Sequence, residues 1–265
     1  MQQAIQHSFS AAAASYDHPA GIQPRVAQRL LAEFLPGPAA LPASGRILEV
    51  GCGTGTLTCE LRNRHPGRGI LALDLAPGMV ARARQRHGDL PGIEFLAADI
   101  RAFAPAERFA LIASSSALHW IRPLPELFRH LAALLAPGGF LGFAMMTAGT
   151  LAELRAARQR VAPHKPAAGS LPRADAALAA LRAAGFALQA QAVERHTQPC
   201  ASGRDLLRGL RAQGIAAGFY GSGASLTRGE LARLVHDFDR HHTAITWEVL
   251  YVLAGHPGTP AGGST

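Results

Sequence analysis

Of the 26 lysine and arginine residues in this 265-residue chain, only Lys165 is a lysine. The arginines are scattered among many Ala, Gly and Pro residues, a pattern that a GC-rich coding sequence produces as readily as a binding requirement does. Aromatic residues make up 6% of the chain and do not interleave with the arginines in a basic stripe. A base-stacking nucleic-acid surface is therefore not expected, despite a formal net charge of +8 and a pI near 10.6. The positive excess remains compatible with an acidic protein partner or an anionic substrate, whose approach it would steer. Cysteine is scarce: Cys52, Cys59 and Cys200 form no metal-ligand spacing and cannot all pair, which suits small reduced residues of a cytosolic protein. No apolar run approaches about 18 residues, so no membrane span is expected. The opening residues, Met1 to His7, lack a basic-then-apolar signal pattern, and a cytoplasmic location follows as the expectation.

Glycine is concentrated where it carries meaning. Residues 46–56 read Arg-Ile-Leu-Glu-Val-Gly-Cys-Gly-Thr-Gly-Thr: an apolar run, the acidic Glu49, then glycines at 51, 53 and 55 before a helix-like stretch. Without a Cβ, these positions let backbone approach a nucleotide-like ligand closely. The spacing is G-x-G-x-G, and Thr56 stands where a dinucleotide site places its third glycine. A glycine trio alone serves equally well as a plain tight turn.

Three further strand ends extend the pattern. Residues 69–75 form an apolar run ending in Asp74, whose two carboxylate oxygens suit both hydroxyls of a ribose. Residues 93–100 run into Asp99-Ile100, a carboxylate for an exocyclic amine beside an apolar contact for a ring. The strand at 109–113 leads into Ser114-Ser115-Ser116-Ala117-Leu118-His119-Trp120. In a parallel sheet these ends share the edge where open α/β sheets bind ligands. Singly, each carboxylate is also an ordinary strand-end cap.

The remaining chain divides readily. Residues 8–35 read as helical, with Tyr16-Asp17 before a turn at Pro19. Pro36 to Gly45 is a linker. Helices are expected at 56–64, 77–86 and 124–135, with Pro77 in a first turn and Pro137-Gly138-Gly139 as a stop. A fifth strand is expected at 140–146, a helix at 151–161 before breaks at Pro163, Pro166 and Pro172, a helix at 175–184 and a strand at 186–196. Helices at 203–212 and 228–241 flank a glycine-rich loop at 214–223, and the last strand is 244–254. The tail 255–265 has the composition of a disordered segment. This is one domain over 1–254, with a cap at 8–35, a core at 46–146, and insertions at 150–174 and 202–242.

The Glu49-to-Gly55 run resembles the first motif of class I S-adenosylmethionine-dependent methyltransferases. Ser8-Phe9 through Ala13, Tyr16 to Gln23, Ser114 to Trp120, Leu151 to Leu154, Leu207 to Gly214, Leu226 to Leu231 and Thr246 to Tyr251 resemble the malonyl-acyl carrier protein O-methyltransferases of biotin synthesis. Trp247 stands where that family has Tyr, and Gly214-Ile215-Ala216 departs from its usual Gly followed by Ala or Thr. The resemblance implies a Rossmann-like α/β fold: a seven-stranded, mostly parallel sheet with helices on both faces and a small helical lid.

The implied reaction methylates the carboxylate of a malonyl thioester on an acidic acyl carrier protein, or on coenzyme A. That carboxylate is ionised at neutral pH, so no general base is sought, and positioning carries the rate. S-Adenosylmethionine is the implied donor, and no metal is expected. The donor site would comprise Glu49, Gly51, Gly53, Gly55, Asp74, Leu75, Met79, Asp99, Ile100, Ser114, Tyr16 and Gln23. The acceptor site would comprise Tyr16, His119, Trp120 and the bidentate carboxylate donors Arg208 and Arg211, which are equally readable as solvated arginines on a helix face. Arg155, Arg158 and Arg160 are candidates for carrier contact. The expected state is a monomer or weak dimer. Methylation of a free aconitate-like acid and a non-catalytic binding module are the alternatives. An NAD-dependent oxidoreductase is the more distant one, opposed by the glycine spacing.

Overall fold

Five parallel strands, one reversed strand and an outer edge strand make the sheet that positions everything else. The computed structural model describes residues 2–16, 21–88, 90–165, 171–215 and 225–256. Along them run α1 (Gln2–Ala12), α2 (Gln23–Glu33), β1 (Arg46–Val50), α3 (Thr56–Arg64), β2 (Ile70–Asp74), α4 (Pro77–His87), β3 (Ile93–Ala97) and β4 (Phe109–Ser115). Then come α5 (Leu124–Leu134), β5 (Leu135–Met146), α6 (Ala152–Val161), α7 (Ala174–Ala183), β6 (Ala187–Pro199), α8 (Gly203–Ala212), α9 (Arg228–His241) and β7 (Ala244–Gly255). The strand order is β3-β2-β1-β4-β5-β7-β6, with β7 antiparallel to both of its neighbours. The expected seven-stranded, mostly parallel sheet is what the chain forms.

Sequence pattern explains the layering. β1 and β2 are buried on both faces, which is why they read as unbroken apolar runs. Edge strand β6 alternates between half-buried and exposed residues along its whole length, the signature of a strand covered on one face. Val26 and Leu30 of α2 and Leu57 and Leu61 of α3 fill one face of the sheet. Leu127, Phe128 and Leu131 of α5 and Leu178 and Leu181 of α7 fill the other. The order reverses between β1 and β4, so their carboxyl ends border the crevice where such sheets take ligands.

Several expected boundaries differ: the strand expected at 186–196 runs to Pro199, and Pro137-Gly138-Gly139, expected as a helix stop, lies within β5. The helical reading of 8–35 resolves into α1, which begins at Gln2, and α2. The Ser15 hydroxyl donates to the Ala12 carbonyl at the end of α1, satisfying a group that another helical turn would have used. Strand β5 begins at Leu135 rather than 140, because Leu135 pairs with Phe109 across an irregularity before Leu111. The Asp17–Pro19 turn, the Pro166 break, the glycine-rich loop from 216 to 223 and the tail beyond 256 lie outside the described residues.

Helices α6, α8 and α9 form a cluster of their own. Ser202 caps α8 by accepting from the Asp205 N–H, and Thr227 with Glu230 forms a reciprocal capping box at α9. The Gly203 N–H donates to Asp239 at 2.6 Å, Arg160 grips Asp237, and Lys165 donates to Glu230 at 2.7 Å.

Phe143 is wholly buried in β5 and stacks on Phe128 with ring centroids 5.6 Å apart. Phe143→Ala is expected to cost about 3–5 kcal/mol, read as a lowered urea midpoint with an unchanged slope.

Candidate active site

The carboxyl ends of β1, β2 and β4 border a cleft that opens to solvent. Val50, Gly51 and Gly53 contribute from β1 and its turn, 73–75 from β2 and its end, and Ser115 and Ser116 from β4 and its end. Ile5, Phe9 and Tyr16 close over it from the N-terminal segment. One adjoining hollow is bordered by Gln23, Glu49, Thr54 and Thr56, and another by His119, Trp120, Met146, Ile215 and Trp247. Tyr16 borders all three spaces.

The glycine turn is shaped by contact. The Gly51 and Cys52 N–H groups both donate to the Leu73 carbonyl, folding the turn across the end of β2. Gly51 has φ +75°, and a Cβ there would lie 2.2 Å from the Ala117 methyl. Only glycine satisfies both conditions. Gly55 borders none of the three spaces; it begins α3 in the left-handed region, and His87 occupies the space a Cβ would need. Its expected place in the donor site is corrected to a backbone role.

Asp74 is half-buried, and each carboxylate oxygen accepts one backbone N–H, from Gly53 at 2.9 Å and Ala76 at 2.8 Å. Burial pushes its pKa up, and these two bonds oppose the rise. Each oxygen keeps lone-pair capacity for a further donor. Glu49 is buried and accepts from the Thr58 hydroxyl at 2.6 Å. Burial raises its pKa to about 8, against the Thr58 bond and with a smaller push from Asp74. The buried carboxyl is thus mostly protonated at neutral pH, and a nearby cation would ionise it.

Leu75, Met79 and Ile100 border the cleft. Asp99 does too, but Arg101 grips it with both Nε and Nη2, the closest contact 2.7 Å, so it is not the free acceptor expected. Ser114 is a correction: its buried hydroxyl donates to the Val50 carbonyl at 2.8 Å, tying β4 to β1 away from the cleft. Its neighbours Ser115 and Ser116 border the cleft instead, and both have buried hydroxyls without a hydrogen-bond partner.

Gln23 donates to the Gln213 side chain at 3.0 Å and borders both smaller hollows. His119 is buried, and its Nδ1 accepts the Met146 N–H at 3.3 Å, which leaves the ring proton on Nε2. Burial, aided by Arg122, lowers its pKa to about 3, so the ring is neutral. Trp120 packs 4.7 Å from His119 and meets Phe9 edge-on at 5.8 Å.

The expected carboxylate fork is not in this cleft. Arg208 and Arg211 are exposed and border a separate groove between α8 and α9, with Arg208 paired to Asp205 at 3.2 Å. Leu206 and Leu210 turn the opposite face of α8 into the core, and that packing directs the arginines outward. The arginines of α6 are absorbed internally: Arg155 donates to the Ala148 and Thr150 carbonyls, Arg158 to the Lys165 carbonyl, and Arg160 to Asp237. Sequence reasoning missed Ile5, Phe9, Ser115, Ser116 and Met146 as cleft residues. Phe9, Ser115 and Ser116 lie in segments that carry the family resemblance, whereas Ile5 and Met146 lie in none of them.

Comparison with known proteins agrees with this geometry. Residues 47–139 match a family model described as a methyltransferase domain. A malonyl-[acyl-carrier protein] O-methyltransferase of Halorhodospira halophila is 34% identical over 97% of this chain and 88% of its own length. The chain belongs to that family. A second relative, malonyl-[acyl-carrier protein] O-methyltransferase 1 of Ilyobacter polytropus, is 35% identical over 57% of this chain, and the match spans 55% of that protein. A putative methyltransferase from Bacillus halodurans shares the fold, with a TM-score of 0.61 over 89% of this chain and all of that one at 14% identity. The chain is thus a class I methyltransferase with S-adenosylmethionine as methyl donor. Its cleft fits a nucleoside donor: a close-approach glycine turn, an immobilised Asp74, and two orphaned serine hydroxyls.

Gly51→Ala is expected to weaken donor binding at least about tenfold by calorimetry, equivalent to ~1.4 kcal/mol. Glu49 gives a signed pH test. Its folded pKa of about 8 exceeds the unfolded value, so its stabilisation is full below pH 4.5 and disappears as pH rises through 8. The stability of Glu49→Gln relative to the parent should therefore climb between those values in urea titrations and level off above them.

Proposed function

We propose that this methyltransferase esterifies the free carboxylate of a malonyl thioester carried on an acyl carrier protein, as a cytoplasmic step of biotin synthesis. The observation that carries the reading is the hollow beside the cleft. No Asp or Glu is among the described residues that border it, and His119, Gln23 and Ser116 supply polar groups among aromatic walls. An anionic acceptor meets no like charge there. The names of the relatives, similar along nearly the whole chain, support the same acceptor.

When bound, S-adenosylmethionine supplies an electrophilic methyl on a positively charged sulfur. The chain supplies position. Asp74 suits the ribose hydroxyls, and its bonds to Gly53 and Ala76 fix its orientation before any ligand arrives. The Ser115 and Ser116 hydroxyls and the aliphatic sides of Leu75, Met79 and Ile100 complete the donor cleft. Glu49, held near neutrality by burial, lies by the glycine turn and would gain its charge opposite an ammonium group.

His119 presents Nε2–H as a neutral donor toward an acceptor carboxylate and cannot serve as a base, because Nδ1 already accepts from Met146. None is required, since the carboxylate arrives ionised. Holding two reactants in attack geometry is worth about 7–11 kcal/mol in such reactions. Phe9, Tyr16 and Trp120 exclude water from the junction between donor and acceptor spaces. In this reading α1 and α2 act as a cap, and α6, α8 and α9 form the substrate lid.

Mass spectrometry of malonyl carrier protein incubated with donor should show one added methyl. Methylation of free acids alone would overturn the carrier reading. Asp74→Ala should raise the dissociation constant for the donor by about one to two orders of magnitude, because a fixed charged acceptor is lost.

A further inference from the structure

The groove between α8 and α9 contains chemistry the methyl-transfer cleft does not use. Arg204, Arg208 and Arg211 occupy positions i, i+4 and i+7 of α8, one helical face. Arg228 joins them from the start of α9, and Leu207 and Leu231 give the groove apolar surface. All four arginines are exposed. Among the described residues, Arg208 has an ion pair with Asp205, whereas Arg204, Arg211 and Arg228 have none.

This arrangement works against the fold. Like charges three and four residues apart repel on a helix, and Arg228 places a cation in the first turn of α9, against the helix dipole. A structural purpose would have called for carboxylates there, as on α6, where Arg160 is answered by Asp237. The three guanidinium groups without an ion pair, with Arg208 beside them, define a surface whose complement is a row of carboxylates.

The groove is also connected to the cleft. Beyond Arg211 the Gln213 side chain accepts from Gln23, the Ala212 carbonyl accepts from Ser15, the Gly214 carbonyl accepts from Ser8, and Ile215 borders the acceptor hollow. The arginine row thus starts at the rim of that hollow and runs about 10 Å outward along α8, at 1.5 Å per residue.

We propose that this groove docks an acidic helix of the acyl carrier protein, with Arg204, Arg208, Arg211 and Arg228 pairing with its carboxylates and the thioester arm entering past Ile215. The proposal rests on the carrier-protein reading above and adds the surface that recognises the partner. It also moves carrier recognition from the α6 arginines, where the sequence reading put it, to the α8 and α9 arginines, and leaves carboxylate placement to the hollow inside.

The test compares the parent enzyme with Arg204→Glu/Arg228→Glu on two substrates: malonyl carrier protein, and malonyl-pantetheine, which has neither protein nor phosphate. The variant should raise KM for the carrier substrate about tenfold or more, and its kcat/KM for malonyl-pantetheine should stay within about twofold of the parent. Raising salt from about 50 to about 200 mM should weaken the parent's use of the carrier substrate and have much less effect on the variant. Arg204→Gln/Arg228→Gln should show a smaller KM increase with a melting temperature no lower than the parent's, because repulsion is relieved. Equal carrier KM in parent and variant would overturn the docking surface while leaving the carrier reading intact. Failure of the parent to methylate malonyl carrier protein would instead remove the carrier reading itself. Loss of binding to a duplex DNA fragment in the variant, with carrier kinetics unchanged, would reassign the groove to nucleic acid.

Discussion

The site depends on one close contact, the packing of the Gly51 backbone against Ala117. That contact presses the turn after β1 onto the segment after β4, on the two sides of the point where strand order reverses. The same turn donates two N–H groups to the Leu73 carbonyl, so β2 is drawn into the junction. Ser114 adds a third tie by donating to Val50 across β1 and β4. Three strand ends are thereby held in one arrangement before a ligand arrives. A side chain at position 51 would separate the walls of the cleft, and the acidic residues behind them would lose their mutual placement.

Low dielectric then sets the chemistry. Glu49 and His119 are buried carboxyl and imidazole groups, and burial pushes both toward their neutral forms. Asp74 is pushed the same way and is opposed by two backbone N–H groups. The outcome is an acceptor hollow bordered, among the described residues, by no carboxylate and by a neutral His119. That suits a reaction in which a cationic sulfur and an anionic oxygen approach one another and neutralise, because strong fixed charges would favour one reactant before the transfer. Neutral donors such as His119 Nε2–H can hold the carboxylate and still release the ester.

What was legible from sequence was local. Glu49, the glycine turn, Asp74 and Ile100 could be placed because each sits at the end of an apolar run, and strand direction alone aligns those ends. The boundaries of α3, α8 and α9 followed from turn and cap residues. The sequence does not separate Ser114 from Ser115 and Ser116, because strand alternation decides which serine faces the cleft and three consecutive serines conceal that phase. Asp99 reads as free in the sequence because its partner, Arg101, approaches only once the chain turns after β3. Arg208 and Arg211 were placed in the cleft on resemblance alone. Their direction is fixed by Leu206 and Leu210 on the buried side of α8, a matter of tertiary packing.

That last displacement has a consequence for how such an enzyme divides its interactions. Contacts made far from the reacting atoms can hold a large substrate, and the interactions that strengthen in the transition state can then be few and uncharged. An arginine fork inside the hollow would bind the carboxylate before and during transfer, and much of its strength would be felt by the ground state. With the guanidinium groups on the outer face of α8, that attraction would act on the proposed carrier and leave the nucleophilic oxygen comparatively exposed to the methyl. The hydrogen bonds from Gln23, Ser15 and Ser8 to the end of α8 couple the two regions mechanically. A carrier docked on the arginine row would thus be held beside the chain segment, Gln213 to Ile215, that reaches the acceptor hollow.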